Sequence, residues 1–454
     1  MRVKEEKDMK KVPLTILIVV CLVSFCYQPL GAATHHVFPG PGNPIQTAIN
    51  NAQAGDTIIV HAGTYTGQVT VTKDSVTLQS SGGAAVTIID YTGVWCGYWS
   101  TGVGGVDIPY GVSGVTVEGF TIVGGSPASD ALISVGGDNN VIRSNVVVGD
   151  PSSSGQDIGI HIGNVDETSE QLPSENKIVN NDVYNHAGSG IFVGNWAGVG
   201  NVISGNMVHD NVIGGIPGLN GNGIEVDRAL GVVVANNSVY KNEAAGIKVV
   251  RTAPNAVVNV NRNTITGNGT GVLSEQWRPG ATTSATVVVI CNNILNNGFG
   301  VFNSVQATIN AKTNWWGDAS GPYHLLSNPS GIGDDVSDNV DFIPWGVVVN
   351  PCASQEAQLV NSPVFGRKIC PLADYNVRKA EELLETVKAL LGDAQLFNLD
   401  TSEVEELVEE AEILLEKARI FCKKGQNCIA GNTLAIEAQN LLEKARELLE
   451  SMLS

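Results

Sequence analysis

Basic residues are scarce in this chain. Lys and Arg number 26 against 45 Asp and Glu, for a net charge of −19, and a surface of that sign repels nucleic acid and anionic lipid. Neither is expected as a partner. Charged residues of either sign make up only 16% of the chain, which suits a turn-rich β protein better than a helical one. Methionine occurs four times and stands in no cluster with His and Cys, which argues against a soft copper channel. No cysteines are spaced CxxC, so a zinc site of that kind is not expected. Long apolar runs are also lacking: beyond Val12 to Phe25, no stretch is long enough to cross a bilayer.

That one run follows Arg2, Lys4, Lys7, Lys10 and Lys11 and ends near Gly31, Ala32 and Ala33. Residues 1–33 therefore read as a secretory signal peptide, an uncleaved anchor being the alternative, and the protein is expected to be secreted or held at the cell surface. Six cysteines lie beyond it, and an even number in an exported chain favours disulfides. The local pairings are Cys352 with Cys370 and Cys422 with Cys428, while Cys96 and Cys291 read as buried thiols.

What is abundant is glycine, at 52 residues, together with asparagine arranged in a repeat. Six phrases place an apolar residue three positions before Asn and another two after it: Ile142/Asn145/Val147, Ile178/Asn181/Val183, Ile203/Asn206/Val208, Val234/Asn237/Val239, Val260/Asn263/Ile265 and Ile290/Asn293/Leu295. The Asn residues are 36, 25, 31, 26 and 30 positions apart. Constant short strands joined by corners of variable length predict a parallel β-helix, because loops grow outward while strands stack ~4.8 Å apart. A propeller needs hairpin turns between neighbouring strands, and none are signalled. Asn suits the corners because it tolerates left-handed geometry and offers a donor and an acceptor to its equivalents above and below. A second structural column is expected at Asp150, His186, Asn211, Asn242 and Asn268. The sequons at Asn236 and Asn268 fall in or beside these columns and read as structural.

Upstream, Ile45 to Ile49 reads as a short amphipathic helix, followed by Gly55-Asp56, the strand Ile58 to Val60 and Gly63-Thr64-Tyr65. This segment resembles the amino-terminal cap of the pectin lyase-like, right-handed parallel β-helix superfamily, with His61 and Ala62 where that family often has Pro. The superfamily includes pectate lyases, polygalacturonases, pectin methylesterases and uronan epimerases. Their catalytic signatures are missing here, and Asp341-Phe342-Ile343-Pro344-Trp345, the nearest approach to one, lies in a closing motif. The resemblance therefore implies fold and leaves the reaction open.

Each Asn phrase is answered by Gly and alternating apolar residues, as in Gly159-Ile160-His161-Ile162 and Gly223-Ile224-Glu225-Val226. Since strand side chains alternate, the residue between the two apolar ones faces outward. Stacking the coils predicts an outward row of His161, Phe192, Glu225, Lys248, Leu273 and Phe302, with Gly163, Gly194, Asp227 and Val250 two positions on. His161, Phe192, Trp196, Arg251, Glu275 and Trp277 are the candidate ligand-binding residues, and Arg228 and Arg278 lie close by. Glu225 and Asp227, about 6.5 to 7 Å apart at the backbone, with Lys248 one coil above, are the candidate catalytic group of a glycoside hydrolase or lyase. The plainer alternative is an ion pair between Glu225 and Lys248.

A resemblance to periplasmic copper-assembly β-helix proteins raises metal handling as a further alternative. Cleavage after Ala32 or Ala33 places His35 or His36 third in the mature chain, where amine, amides and imidazole bind Cu(II) or Ni(II).

Asn314-Trp315-Trp316-Gly317 to Pro344-Trp345 resembles the closing motif of secreted prokaryotic surface β-helix proteins, with the paired tryptophans over the end of the core. Asp334, Asp335 and Asp338 are candidate Ca2+ ligands. Residues 34–350 are thus expected to form a mainly β solenoid and 351–371 a linker. Residues 372–454, with helical apolar periodicity, a capping box at Ser402 and Glu405 and helix ends at Gly392 and Gly425, are expected to form a small antiparallel three-helix bundle. This last part resembles helical stalks of archaeal surface proteins, which implies attachment or self-association. The leading expectation is an exported protein that binds polysaccharide; the alternatives are a polysaccharide lyase or hydrolase on the same face and copper handling.

Overall fold

The computed structural model describes residues 31–92, 105–124, 130–152, 157–163, 172–194, 197–213, 221–250, 256–275, 285–351, 353, 371–397, 399–424 and 428–453. The chain winds through three sheets in turn, of 12, 9 and 9 strands, and every strand pairs in parallel with its equivalents one coil before and after. This is the expected right-handed parallel β-solenoid, of about 9 turns. One coil shows how the sequence makes it. Val141–Arg143 lies in the first sheet, Ser144 turns with φ 55°, Val146–Val148 lies in the second sheet, and Asp157–Ile162 in the third. Ile142, Val147, Ile160 and Ile162 point inward and are fully buried. Burial of one such stripe per strand, repeated coil on coil, gives a single continuous core.

The asparagine corners are buried ladders. Asn145 Nδ2 donates to Asn181 Oδ1 at 3.1 Å, and the chain of bonds runs on through Asn206, Asn237, Asn263, Asn292 and Asn314 at 3.0 Å each. Two details differ from the sequence reading. The left-handed position belongs to the residue before each ladder Asn, namely Ser144, Asn180, Gly205, Asn236, Arg262 and Cys291. The sixth rung is Asn292 rather than Asn293, because Cys291 takes the left-handed turn and Val289 and Ile294 supply the flanking core contacts.

In the second column Asn211, Asn242, Asn268 and Asn297 are bonded in sequence, ending on Asp334. His186 joins through its backbone N–H, which donates to Asn211 Oδ1. At Asp150 it is instead the backbone N–H that bonds, donating to Asp157 Oδ2 at 2.7 Å, and Asp157 Oδ1 faces His186 Nδ1 at 3.2 Å. A third, shorter ladder of Asn140, Asn176 and Asn201 was not anticipated.

Both ends are closed as expected, with different partners in places. The helix Pro44–Asn51 buries Ile45 and Ile49, and Asn43 caps it by accepting from Gln46 N. At the far end Trp316 is fully buried and Phe342 and Trp345 pack around it, while Trp315 stays outside this core. The carboxy-terminal part forms three helices, Pro371–Leu396, Ser402–Lys424 and Cys428–Leu453, which share one cluster including Val387, Leu415 and Leu442. Gly392 lies inside the first helix rather than at its end. Glu405 bonds Thr401 Oγ1 at 2.7 Å, so Thr401, not Ser402, is its capping partner. Among the described residues no helix is long and apolar enough to cross a membrane. Cys291 is a free, half-buried thiol; Cys96, Cys352 and Cys370, and the side chains of Cys422 and Cys428, lie outside what is described, as does Gly425.

Candidate functional site

The outward row forms on the third sheet. Parallel registers align His161 with Phe192, Phe192 with Glu225, Glu225 with Lys248, Lys248 with Leu273 and Leu273 with Phe302. The row also extends toward the amino terminus, through Ser134, Asp107 and Thr70. Gly105-Val106-Asp107-Ile108 repeats the glycine phrase, although it follows no Asn phrase of the repeat. Asp227, Val250 and Glu275 make a parallel row two positions along the strands. Trp196, Arg251, Trp277 and Arg278 fall outside the described residues.

Glu225, Lys248 and Glu275 form one ion network. Lys248 Nζ lies 2.8 Å from Glu275 Oε1 and 3.4 Å from Glu225 Oε1. The other oxygen of Glu225 accepts from Ser189 Oγ at 2.7 Å and from Asn222 Nδ2 at 3.0 Å. Burial alone pulls the Lys248 amine down, but the two carboxylates outweigh it and hold it above the usual lysine range. A lysine held cationic in this way donates hydrogen bonds and does not take up a proton.

Asp227 stands differently. Burial raises its carboxyl above the ordinary range despite Arg228, whose Nε is 3.4 Å from Oδ2. Asp227 Oδ1 is buried and has no hydrogen-bond partner among the described residues. Such an orphaned group costs about 1–3 kcal/mol in a folded protein, so its retention calls for a reason.

A second orphan lies nearby at His161 Nε2. His161 is only 7% exposed, and burial pulls its imidazole down to about 4, so the ring is neutral at neutral pH. The ring lies along its own strand over Gly163, where a Cβ would overlap Nε2, and Phe192 lies over Gly194 in the same way. The absence of side chains at these two glycines leaves the space that the two rings occupy. The two rings meet at 5.2 Å between centroids. Further along the row, burial alone pushes Asp107 up to about 7.

The amino-terminal histidines lie on the first sheet. His35 and His36 belong to the strand Thr34–Val37, which pairs with Thr57–Val60. His35 Nε2 is 2.9 Å from Asp56 Oδ2, whereas His36 Nδ1 is 3.0 Å from His61 Nε2. Binding through the backbone amides of this strand requires its pairing to open. The candidate calcium ligand Asp334 accepts two hydrogen bonds from Asn297, and Asp338 faces His324 at 3.3 Å.

One cluster lies outside the row, on residues that each stand three positions after a ladder Asn: Tyr184, His209 and Tyr240. On the second sheet His209 is stacked between Tyr184 and Tyr240, with centroids 5.0 and 4.6 Å away. Its ring nitrogens meet Asp182 at 3.0 Å and Asp210 at 2.6 Å. Burial opposes the charge on His209, but these two carboxylates raise it to about 9.

Comparison with known proteins bears on the fold. Residues 110–316 match the family described as right handed beta helix region. Among solved structures the chain is similar to XylC in complex with xylose, at 13% identity over 62% of this chain and 68% of that one, with a TM-score of 0.45. Pectate lyase Pel9A is similar at 14% identity over 72% and 83% of the two chains, with a TM-score of 0.39. The A-module of mannuronan C-5 epimerase AlgE4 from Azotobacter vinelandii is similar at 17% over 66% and 91%, with a TM-score of 0.38. No curated protein sequence matches the chain. The chain thus contains a right-handed parallel β-helix, and its residues 110–316 match that family's model.

Proposed function

We propose that this protein is exported and binds polysaccharide along the outward row of the third sheet, with the carboxy-terminal helices serving attachment or self-association. The observation that carries the reading is the row itself. Aromatic and hydrogen-bonding side chains recur at ~4.8 Å intervals on parallel strands, a linear array suited to a linear polymer. Phe192, whose ring extends over Gly194, is an aromatic surface for a sugar, and the Glu225–Lys248–Glu275 network holds the neighbouring polar groups in place. Trp196, Arg251 and Trp277 follow these strands in sequence and are proposed to add to the same surface.

A second reading, a polysaccharide lyase or hydrolase, is favoured by one feature, the unpartnered Oδ1 of a carboxyl whose pKa is raised by burial, at Asp227. The test is a screen of the purified protein against neutral and uronate glycans, reading binding and new reducing or unsaturated ends together. Phe192→Ala is expected to weaken binding by about tenfold, which corresponds to 1.4 kcal/mol. Product formation abolished by Asp227→Asn establishes the enzyme; undiminished binding in Phe192→Ala removes the third sheet from consideration.

A further inference from the structure

The two unpartnered atoms on the third sheet lie two coils apart, with Gly194 between them. Gly163, Gly194 and Asp227 succeed one another on adjacent coils, since Ile162 pairs with Val193 and Val193 with Val226 one position earlier. The backbone of Gly194 lies under the Phe192 ring and beside the Asp227 carbonyl. His161 Nε2 stands over the first glycine, and the Asp227 side chain follows the second. The backbones of Gly163 and Asp227 are two coils apart, about 9.6 Å. An aromatic ring therefore lies between two buried polar atoms that nothing among the described residues satisfies.

We propose that His161, Phe192 and Asp227 form a subsite for one neutral sugar residue, with its ring against Phe192 and its hydroxyls bonded to His161 Nε2 and Asp227 Oδ1. The inference rests on the polysaccharide reading and narrows it to uncharged glycans. Charge decides that choice. Glu225 and Asp227 project from alternate positions of one strand, so a uronate placed here meets two carboxyls. The nearest described cations are engaged: Lys248 lies between Glu225 and Glu275, and Arg228 lies against Asp227. A hydroxyl, by contrast, can donate to a carboxylate oxygen and either donate to or accept from an imidazole nitrogen, whichever tautomer is present.

The subsite also explains why these polar groups persist. Unsatisfied, they reduce stability, and two hydroxyls of one sugar residue satisfy one each.

The experiment compares the full chain with His161→Ala, Asp227→Ala and Asp227→Asn, using cello- and xylo-oligosaccharides and an oligogalacturonate of matched length. The expected result is that a neutral oligosaccharide binds at least tenfold more tightly than the uronate, and that each Ala variant loses tenfold or more. Asp227→Asn, which keeps an acceptor oxygen, should lose less than Asp227→Ala. Melting temperatures of the Ala variants should equal or exceed that of the parent, which separates a lost contact from a lost fold. Tighter binding of the uronate overturns the proposal. So does binding that is lost in Phe192→Ala yet unchanged in both Ala variants, an outcome that leaves the polysaccharide reading standing. If no oligosaccharide binds the parent chain, both fall together.

Discussion

At the scale of single residues, the groups with the most displaced protonation equilibria are buried, and the direction follows from what surrounds each. His161 is desolvated without a counter-charge and is held neutral, whereas His209 is desolvated between two carboxylates and held cationic at neutral pH. The second case makes a testable statement about stability. Because folding raises the His209 pKa from 6.5 to about 9, its contribution is full below pH 6.5 and is lost as pH rises through 9. The size is on the order of 3 kcal/mol, at 1.36 kcal/mol per pKa unit. Melting temperature should therefore fall between pH 6.5 and 9.5 in the parent chain and show a smaller fall in His209→Gln. Equal pH slopes in the two proteins would show that the imidazolium between Tyr184 and Tyr240 contributes nothing.

At the scale of strands and corners, the sequence announces what recurs and conceals what occurs once. The Asn repeat specified the coils and the second sheet because each ladder residue repeats a local solution to one problem, the unpaired amides of a corner. It misplaced one rung at Asn293 because an Asn-Asn pair satisfies the pattern in two registers, and only the left-handed turn at Cys291 selects Asn292. The glycine phrase likewise showed which side chains face outward, so His161, Phe192, Glu225 and Lys248 fell into one row as expected. What it could not show was which atoms in that row are already bonded. Glu225 is fully satisfied by Ser189, Asn222 and Lys248, contacts that depend on three other coils or corners, while Asp227 on the same strand is not. The His209 stack was legible in position, since Tyr184, His209 and Tyr240 each follow a ladder Asn by three, but not in its charge, which depends on Asp182 and Asp210 around the ring. A ladder rung offers the test for this scale. Asn237 Nδ2 donates both to Ile203 O and to Asn263 Oδ1, and its own Oδ1 accepts from Asn206, all in a buried setting. Asn237→Ala leaves those partners unsatisfied and should cost about 3 kcal/mol or more, against about 1 kcal/mol or less for Asn310→Ala at an exposed position. Chemical denaturation measures the difference, and equal midpoints for the two variants would remove the ladder from the account of stability.

At the scale of the whole molecule, the apolar residues fall into separate cores. The solenoid cluster runs from Val37 to Phe342, and the helical cluster runs from Val377 to Leu449. The two have no residue in common, and they are built on opposite principles. In the solenoid each coil contacts its neighbours through parallel strands, so stability adds along the axis. The helices instead bury one stripe each against a shared centre. If the sequence carries two folding units, each should keep its structure without the other. A chain ending at residue 350 should retain the β-rich circular dichroism spectrum and the melting temperature of the solenoid transition, and residues 371–454 should remain helical. Calorimetry of the full chain should then show two transitions that match the pieces. The same division locates function, because the row from His161 to Phe302 lies wholly in the first piece. Oligosaccharide binding should survive removal of the helices with its affinity for a soluble monovalent probe unchanged within about twofold, while apparent affinity for an immobilised polymer should drop if the helices multimerise the chain. Loss of soluble-probe binding on truncation would place part of the site outside the solenoid and redraw the division of labour.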